Sequence, residues 1–239
     1  MKYQTQENIN GEIEFRSGYE DFDNVKRMLS SRIDETVDIF KDFDIEEPVA
    51  EFGAERCQRI LAVISKFKLS SGYAYDLSER SMSMADIIGE RLFSDSPHKR
   101  LIRISDDFLS NHYTNHFGFV FCFATLHHFP DPRPVFAAVH RMLKKDGIFY
   151  FNREAVESLI GLHEVVRAIK NKGVVKERRY NIIETQFPLE VWEECFSKFS
   201  KCDITLKLPL LSFRLHKLNK LTRLIIKITG ARISGLCIK

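Results

Sequence analysis

Apolar residues recur along this chain with two alternating periods, one typical of helices and the other typical of buried strands. Residues 19–43 repeat apolar positions every three or four residues, which predicts an amphipathic helix that ends before Pro48. Alternation of strands and helices then predicts an α/β protein with a doubly wound, mostly parallel sheet. The predicted strands cover 49–52, 73–77, 100–105, 117–123 and 148–152, and the helices between them cover 59–67, 81–92 and 134–143.

The regular alternation ends at Arg153. Residues 210–228 carry an apolar stripe with Lys and Arg mostly opposite it, and this pattern predicts one basic helix that Gly230 caps. The other predicted elements are helices at 155–170 and 189–199 and extended segments at 202–208 and 232–238.

These elements divide the chain into two parts. Residues 1–47 are predicted to form an N-terminal helical extension or lid, and residues 48–239 to form one α/β domain. Within that domain, we interpret 154–200 as a substrate-side insertion and 201–239 as closing strands plus the basic helix.

Composition supports one substantial core, because the 239 residues are 44% hydrophobic and 29% charged. Five cysteines form an odd set without a C-x-x-C pair, which predicts neither a disulfide framework nor a thiolate zinc site. His112 and His116 lie four residues apart without an evident third ligand, so no metal site is predicted. No signal peptide or membrane span is recognised, and we interpret the protein as soluble and cytoplasmic, in a reducing compartment.

Charge is distributed unevenly, although the net charge is only +3. Residues 204–239 contain eight Lys and Arg and no Asp or Glu, whereas residues 1–47 have a net charge of −7. Three interpretations of the basic stretch 210–228 remain open: a helix that covers the sheet, a helix in weak contact with an anionic membrane surface, and a nucleic-acid site. The first is favoured because apolar stripes usually cover a sheet. Nucleic acid is the least favoured partner, because Phe213 is the only aromatic residue there.

Ligands of an open parallel sheet bind at the carboxyl ends of its strands. Acidic residues occupy three of the predicted strand ends, and two adjacent histidines follow the fourth. The candidates are Glu51 to Cys57 after the first strand, Asp76 after the second, Asp106 and Asp107 after the third, and residues 123–131 after the fourth.

Two cofactor classes suit the glycine turn after the first strand. A dinucleotide turn requires glycines at positions 55 and 58, where this chain has Glu55 and Gln58. A pyrophosphate about 4 Å from the Glu55 carboxylate costs about 4 kcal/mol at an effective dielectric of about 20. Asp76 follows Gly53 by 23 residues, close to the offset of about 20 at which a carboxylate binds both ribose hydroxyls. An acidic site favours the cationic S-adenosylmethionine over NAD.

Five segments together resemble the motifs of class I S-adenosylmethionine-dependent methyltransferases, and of their small-molecule type with leucine-histidine-histidine after the fourth strand. The segments, in order, are VAEFGAERC, YAYDLSE, ISDDF, FGFVFCFATLHHFPDP and RMLKKDGIFYF. The resemblance implies a Rossmann-like fold with seven strands, closed by the antiparallel pair CDITLKL and RISGLCI. It also implies S-adenosylmethionine as cofactor and a small-molecule or glycan-like methyl acceptor.

The resemblance implies a role for individual residues. Glu51, Phe52, Gly53 and Ala54 would lie against the methionine part of the cofactor, and Phe123 would form a wall of the methyl-transfer site. The remaining cofactor residues would be Asp76 with Leu77 at the ribose, and Asp106 with Asp107 or Phe108 at the adenine.

Acid-base chemistry is assigned to three residues at the strand ends. His128 and His127 are the candidate proton acceptors, because a histidine pKa lies near neutral pH, and we favour His128 slightly. Glu154 is a weaker candidate that, with Arg153, borders the predicted substrate pocket.

Two departures from the family pattern leave a second function open. The family usually has Gly at the position of Glu55 and Asp at the position of Gly118, and many members have Gly at the position of Cys57. The alternative is a non-catalytic binding or regulatory protein that keeps the fold and has weakened cofactor binding.

Overall fold

A computed structural model describes residues 22–158, 185–208 and 211–239, and places eight strands of these segments in one sheet. The strand order is β3-β2-β1-β4-β5-β8-β6-β7. In chain order the strands are β1 (Val49–Phe52), β2 (Gly72–Tyr75), β3 (Leu101–Ile104), β4 (Phe117–Phe123), β5 (Leu143–Val156), β6 (Lys201–Lys207), β7 (Ser212–Arg214) and β8 (Ala231–Ile238).

Strands β1 to β5 run parallel to one another. The chain passes from β1 outward through β2 to β3, and then returns to the other side of β1 with β4. All seven residues of β4 are buried, which explains why FGFVFCF is apolar without alternation. The doubly wound parallel sheet predicted from the sequence is confirmed, and the reversal of strand order lies between β1 and β4.

Seven α-helices are described around this sheet. They are α1 (Phe22–Phe40), α2 (Gln58–Lys66), α3 (Glu79–Met82), α4 (Met84–Leu92), α5 (Arg133–Met142), α6 (Leu189–Phe196) and α7 (Lys220–Thr229). Helix α1 lies within the predicted 19–43 segment and packs on α2. The predicted helix 81–92 is two helices, because the chain turns at Ser83.

Each face of the sheet has its own apolar core. Phe40 of α1 packs against Phe119, Phe121 and Tyr150 on one face. Trp192 of α6 belongs to the core of the other face. Strand β4 contributes to both cores, so both faces must be covered by helices. One core contains Phe119, Phe121 and Phe123, and the other contains Phe117, Val120 and Cys122.

The sheet has eight strands, not the seven that the resemblance implied, and the difference lies among the closing strands. Strand β8 is antiparallel to both β5 and β6, as the resemblance implied. The additional strand β7 pairs with β6 and occupies part of the segment predicted as a basic helix. That helix begins only at Lys220, after a short 3₁₀ turn at Leu215–Lys217, because Asn219 caps its first turn.

The end of β5 corrects a second boundary. This strand continues through Val156, so Glu154 belongs to the sheet and not to the predicted insertion, and the predicted helix does not begin at residue 155. Residues 159–184, which carry the rest of that predicted helix, lie outside the described segments. The segment predicted as a helix at 189–199 is helical from Leu189 to Phe196.

The cysteine prediction was wrong for one pair. Cys202 of β6 and Cys237 of β8 are directly opposite in the antiparallel register and form a disulfide. Thirty-five positions separate them in sequence, so spacing alone gave no sign of the bond. Cys57, Cys122 and Cys195 are buried free thiols.

Candidate functional site

The carboxyl ends of β1, β2 and β3 lie side by side at one edge of the sheet. The register places Phe52 beside Tyr75, and Tyr75 beside Ile104. The turns that follow these residues therefore meet, as the amide of Ala54 shows by donating to the carbonyl of Tyr75 at 3.1 Å. The acidic residues predicted to gather around one ligand do lie on adjacent strand ends.

Gly53 begins the turn between β1 and α2 and has a positive φ of 66°. A Cβ at this position would lie 2.3 Å from Oγ1 of Thr125, which follows β4. Only glycine permits both this conformation and the close approach of the two strand ends. Thr125 lies within the predicted candidate segment 123–131, but no individual role was predicted for it.

Asp76 is held in place by the turns on both sides of it. Its Oδ2 accepts a hydrogen bond from the amide of Glu55 at 2.8 Å, and its Oδ1 accepts one from the amide of Ser78 at 2.9 Å. Only 8% of the residue is exposed. The first two strand ends are thus joined through this carboxylate, and Leu77 lies between Asp76 and Ser78 in the turn after β2.

Glu51 points into the protein from β1. Its Oε2 accepts a hydrogen bond from the amide of Ile60 in α2 at 3.0 Å, and the residue is 2% exposed. Burial raises the pKa of Glu51 to about 8, against the attraction of the Arg59 guanidinium and the Ile60 hydrogen bond, which lower it. This carboxyl group fixes the beginning of α2 relative to β1.

The aromatic candidates are buried. Phe52 and Phe108 stack with ring centroids 4.3 Å apart, and both lie in the apolar core together with Tyr75. Ala54 is also buried. The guanidinium of Arg59 lies 3.9 Å from the ring centroid of Phe123. These side chains pack in the protein interior next to the strand ends. Their contacts with the cofactor stay predictions.

Asp106 and Asp107 organise the turn after β3. Asp106 accepts hydrogen bonds from the amide of Asp107 at 2.7 Å and from the hydroxyl of Ser110 at 3.0 Å. Asp107 caps the 3₁₀ turn Phe108–Ser110 by accepting from the amide of Leu109. Asp106 is exposed at this edge, as an adenine contact requires, whereas Phe108 is turned into the core.

The loop after β4 is fixed by one buried carboxylate. Glu154 of β5 is fully buried, and its Oε1 accepts from the amides of Thr125 at 2.8 Å and Leu126 at 3.1 Å. Its Oε2 accepts from the amide of His127 at 3.2 Å and lies 2.9 Å from Nδ1 of the same residue. Burial alone raises the pKa of Glu154, but the hydrogen bonds from His127, Thr125 and Leu126 outweigh it and lower the pKa.

This arrangement fixes the imidazole of His127. An ionised carboxylate only accepts hydrogen bonds, so Nδ1 carries the proton and Nε2 of a neutral His127 is left as an acceptor. The side chain is 19% exposed. The ring of His128 lies beside it, with centroids 4.2 Å apart. Glu154 therefore orients His127, and no pattern in the sequence indicates that the two residues pair.

Helix α1 reaches the site through a network of charged side chains. Glu35 binds Arg59 at 2.9 Å and Arg153 at 2.6 Å, so Arg153 does not pair with its neighbour in sequence. Arg59 also donates to the hydroxyl of Thr36 at 2.9 Å. Arg32 of the same helix binds the Glu55 carboxylate. These contacts join helix α1 to the turn after β1 and to the start of α2. The sequence feature that indicated them is Arg59, the only Arg of the apolar stretch RILAVISKF.

The two departures from the family pattern have local structural reasons. Glu55 and Cys57 keep positive φ angles, 52° and 62°, at positions where glycine is usual. The Glu55 carboxylate is neutralised by Arg32 and Arg56. Gly118 is the second residue of β4, at the opposite end from the site, and a Cβ there would lie 2.3 Å from the carbonyl oxygen of Glu46. Neither departure removes a group from the strand ends.

S-adenosylmethionine fits this edge on three observations. The Gly53 turn has no Cβ, the Asp76 carboxylate is held in place by backbone donors, and Asp106 is exposed on the neighbouring strand end. A carboxylate offers about four acceptor positions, which suits a pair of ribose hydroxyls. Among the described residues, no group of three His, Cys, Asp or Glu is placed to hold a metal ion.

Known proteins of similar sequence and fold support this assignment. Residues 53–151 match the family model described as a methyltransferase domain. No curated protein matches the chain. One solved structure with a similar fold is phosphoethanolamine N-methyltransferase 2 of Haemonchus contortus in complex with phosphomonomethylethanolamine and S-adenosylhomocysteine. It is 16% identical to this chain, with a TM-score of 0.61. The alignment covers 86% of this chain and 52% of that one, so this chain spans about half the length of that enzyme.

Two bacterial structures match over nearly their whole length. A methyltransferase of Thermotoga maritima, described as a possible histamine N-methyltransferase, is 17% identical with a TM-score of 0.55, over 94% of this chain and 97% of its own. A putative methyltransferase of Bacillus halodurans is 16% identical with a TM-score of 0.56, over 87% of this chain and 99% of its own. The fold is that of S-adenosylmethionine-dependent methyltransferases, and residues 53–151 match a methyltransferase domain.

Proposed function

We propose that the protein transfers a methyl group from S-adenosylmethionine to a nucleophilic atom of a small-molecule or glycan-like acceptor, and that His127 receives the proton of that acceptor. The observation that carries the proposal is the meeting of the Gly53 turn with Asp76 at the reversal of strand order. The cofactor, when bound, supplies a methyl group on a positively charged sulfur, which is a reactive electrophile.

The protein's main task is to align the acceptor with that methyl group. Gly53 and Asp76 hold the turns of β1 and β2, and Glu51 fixes the beginning of α2. These contacts make the strand ends rigid before any ligand binds. Rigidity of this kind supplies most of the rate enhancement when a reaction needs orientation more than acid-base help.

His127 is better suited than His128 to accept the proton. Glu154 holds its Nδ1 proton, so Nε2 is the basic nitrogen, and the carboxylate stabilises the imidazolium that forms. His128 has the neighbouring position in the same turn and contributes to the shape of the pocket. Glu154 is a positioning residue, because it is fully buried behind the loop.

Cofactor binding is tested by thermal unfolding with S-adenosylhomocysteine. Binding at about 100 times Kd raises the free energy of unfolding by about 2.7 kcal/mol. We expect this shift in the wild type and its loss in Asp76→Ala and Asp76→Asn, the second of which keeps the side-chain shape. Asp203→Ala on β6 is the matched control, since its carboxylate pairs with Arg214 far from β2.

If neither S-adenosylmethionine nor S-adenosylhomocysteine shifts the thermal unfolding of the wild type at millimolar concentration, the proposal of an enzyme is contradicted. That result favours the non-catalytic alternative. An unchanged shift in both Asp76 variants contradicts the ribose assignment alone.

The acceptor class is tested with S-adenosylmethionine that carries a trideuterated methyl group. The protein is incubated separately with small-molecule, oligosaccharide and protein fractions, and mass spectrometry detects the labelled product. Label in the small-molecule or oligosaccharide fraction is expected, and label confined to protein contradicts the proposed acceptor.

A further inference from the structure

The apolar stripe of α7 faces solvent instead of covering the sheet. Leu221 is 65% exposed, Leu224 is 52% exposed and Ile225 is 41% exposed. Together with Ile228 they occupy positions i, i+3, i+4 and i+7, which form one face of a helix. This finding corrects the favoured interpretation of the basic segment, in which the stripe packed on the sheet.

The helix is attached through its other side. Ile226 is the only buried residue of α7, and it lies on the opposite face from the midpoint of the apolar stripe. Asn219 caps the helix by accepting from the amide of Thr222, and Gly230 ends it. The fold therefore holds α7 in a fixed orientation in which Leu221, Leu224 and Ile225 are exposed and Ile228 is half-buried beside them.

Positive charge flanks the stripe. Lys220 and Lys227 lie along one edge of the apolar face, and Lys217 precedes the helix. Among the described residues these three lysines form no ion pair, whereas Arg223 pairs with Glu193. An apolar face bordered by lysines is the pattern of a helix that lies in the headgroup region of a bilayer.

We propose that α7 binds the surface of an anionic membrane, with Leu221, Leu224, Ile225 and Ile228 among the acyl chains and the flanking lysines at the lipid phosphates. Charge distinguishes this partner from a second copy of the chain. Segment 204–239 carries eight basic residues and no acidic ones, so two copies of α7 face to face would repel each other. An anionic lipid surface is complementary to it in both charge and polarity.

The contact is peripheral. No described helix is long and apolar enough to cross a bilayer, and α7 has only ten residues. A short amphipathic helix with a few lysines gives reversible binding that depends on lipid composition and salt. The consequence for the enzyme is that its acceptor site operates beside a lipid surface, where lipid-linked acceptors are concentrated.

Vesicle flotation of the full chain tests this proposal without cofactor or acceptor. The probes are phosphatidylcholine vesicles with and without about 30% phosphatidylglycerol, at low and high salt. We expect the wild type to float with the anionic vesicles at low salt and to be released by salt. Substituting Leu221, Leu224 and Ile225 together by Ser should lower the partition coefficient at least tenfold. Lys220→Gln and Lys227→Gln should each lower it about fivefold.

The matched control removes similarly exposed apolar side chains elsewhere. Ile87 of α4 and Ile102 of β3 are 41% and 42% exposed, and Ile87→Ser with Ile102→Ser should leave flotation unchanged. Circular dichroism and melting confirm that each variant is folded. Three outcomes overturn the proposal: no flotation of the wild type, equal flotation of the triple Ser variant, or a concentration-dependent dimer that the same variant abolishes. The last outcome would identify a second copy as the partner of α7.

Discussion

Glu154 and His127 form a carboxylate–imidazole pair at 2.9 Å, although 27 positions separate them in sequence. The pair exists because β4 and β5 are adjacent and parallel, so that the end of β5 reaches the loop that follows β4. One buried carboxylate thereby satisfies three backbone amides and sets the orientation of an imidazole. This relationship connects the stability of the site with its chemistry.

The first prediction separates the two histidines. His127→Ala should lower kcat about tenfold to a hundredfold, because it removes the proposed proton acceptor, whereas His128→Ala should change kcat less than about threefold. The measurement is steady-state methyl transfer over pH 5 to 9, and the His127 variant should also lose the rise of kcat with pH. A larger effect from His128→Ala would exchange the two roles.

The proposed role of Glu154 in positioning His127 is tested by the pH dependence of kcat in Glu154→Gln. Glu154→Gln keeps the shape and two acceptor bonds, but removes the negative charge that stabilises the imidazolium. We expect kcat to fall about tenfold and the rise of kcat with pH to move to lower pH. A purely structural role would lower stability and leave the pH profile unchanged. Since two buried amides and one partly buried amide lose their acceptor in Glu154→Ala, that variant should be destabilised by about 3 kcal/mol or more.

A second prediction concerns the pH dependence of stability through Glu51. Its pKa in the folded state is about 8, above the ordinary value of 4.5, so the folded protein binds more protons than the unfolded chain between these values. Its contribution is therefore fully present below pH 4.5 and is lost as the pH rises toward 8. Glu51→Gln removes this loss and should gain stability over the wild type as pH rises, by at most about 5 kcal/mol.

Urea unfolding of Glu51→Gln and wild type at pH 5, 7 and 9 measures this effect. The difference between the two proteins should grow in favour of the variant across the series. Glu154 supplies an internal contrast, because its lowered pKa gives stability that is lost as pH falls. A constant difference for Glu51→Gln at all three values would show that this carboxyl is already ionised.

A third prediction explains why the family aspartate is absent at position 118. Gly118→Ala should destabilise the fold by about 1–3 kcal/mol, because its Cβ must displace the backbone carbonyl of Glu46, and Gly118→Asp should cost at least as much. Gly147→Ala is the control, since its nearest contact is 3.0 Å and requires a smaller shift. Affinity for S-adenosylhomocysteine, measured by calorimetry below the melting temperature, should stay within about threefold. Tighter binding in Gly118→Asp would contradict the structural explanation.

A fourth prediction tests how helix α1 is attached. Glu35→Ala removes the shared partner of Arg59, which is 5% exposed at its side chain, and of the more exposed Arg153. Loss of the hydrogen bonds to Arg59 should lower the free energy of unfolding by about 1–3 kcal/mol. Asp38→Ala on the same helix removes only an exposed pair with Lys41 and should change it by less than about 1 kcal/mol. Equal effects of the two substitutions, measured by urea unfolding, would show that α1 is not anchored there.

The sequence by itself determined the alternation of strands and helices, the edge of the sheet at which we propose that the ligand binds, and the positions of Gly53, Asp76 and Asp106. These features are local, since a continuous apolar run, a glycine turn and a carboxylate after a strand are each read within about ten residues. The pattern of the last two strands predicted extended segments, and their antiparallel arrangement was implied by the family resemblance.

Only the tertiary structure decided which distant residues meet. The pairing of Glu154 with His127, the closeness of Thr125 to Gly53 and the bond of Cys202 with Cys237 depend on strand order and register. Helical periodicity showed that α7 has an apolar stripe, but only the tertiary structure decides which side of the helix packs against the rest of the protein. Ile226 is on the buried side, and Leu221 and Leu224 are exposed to solvent.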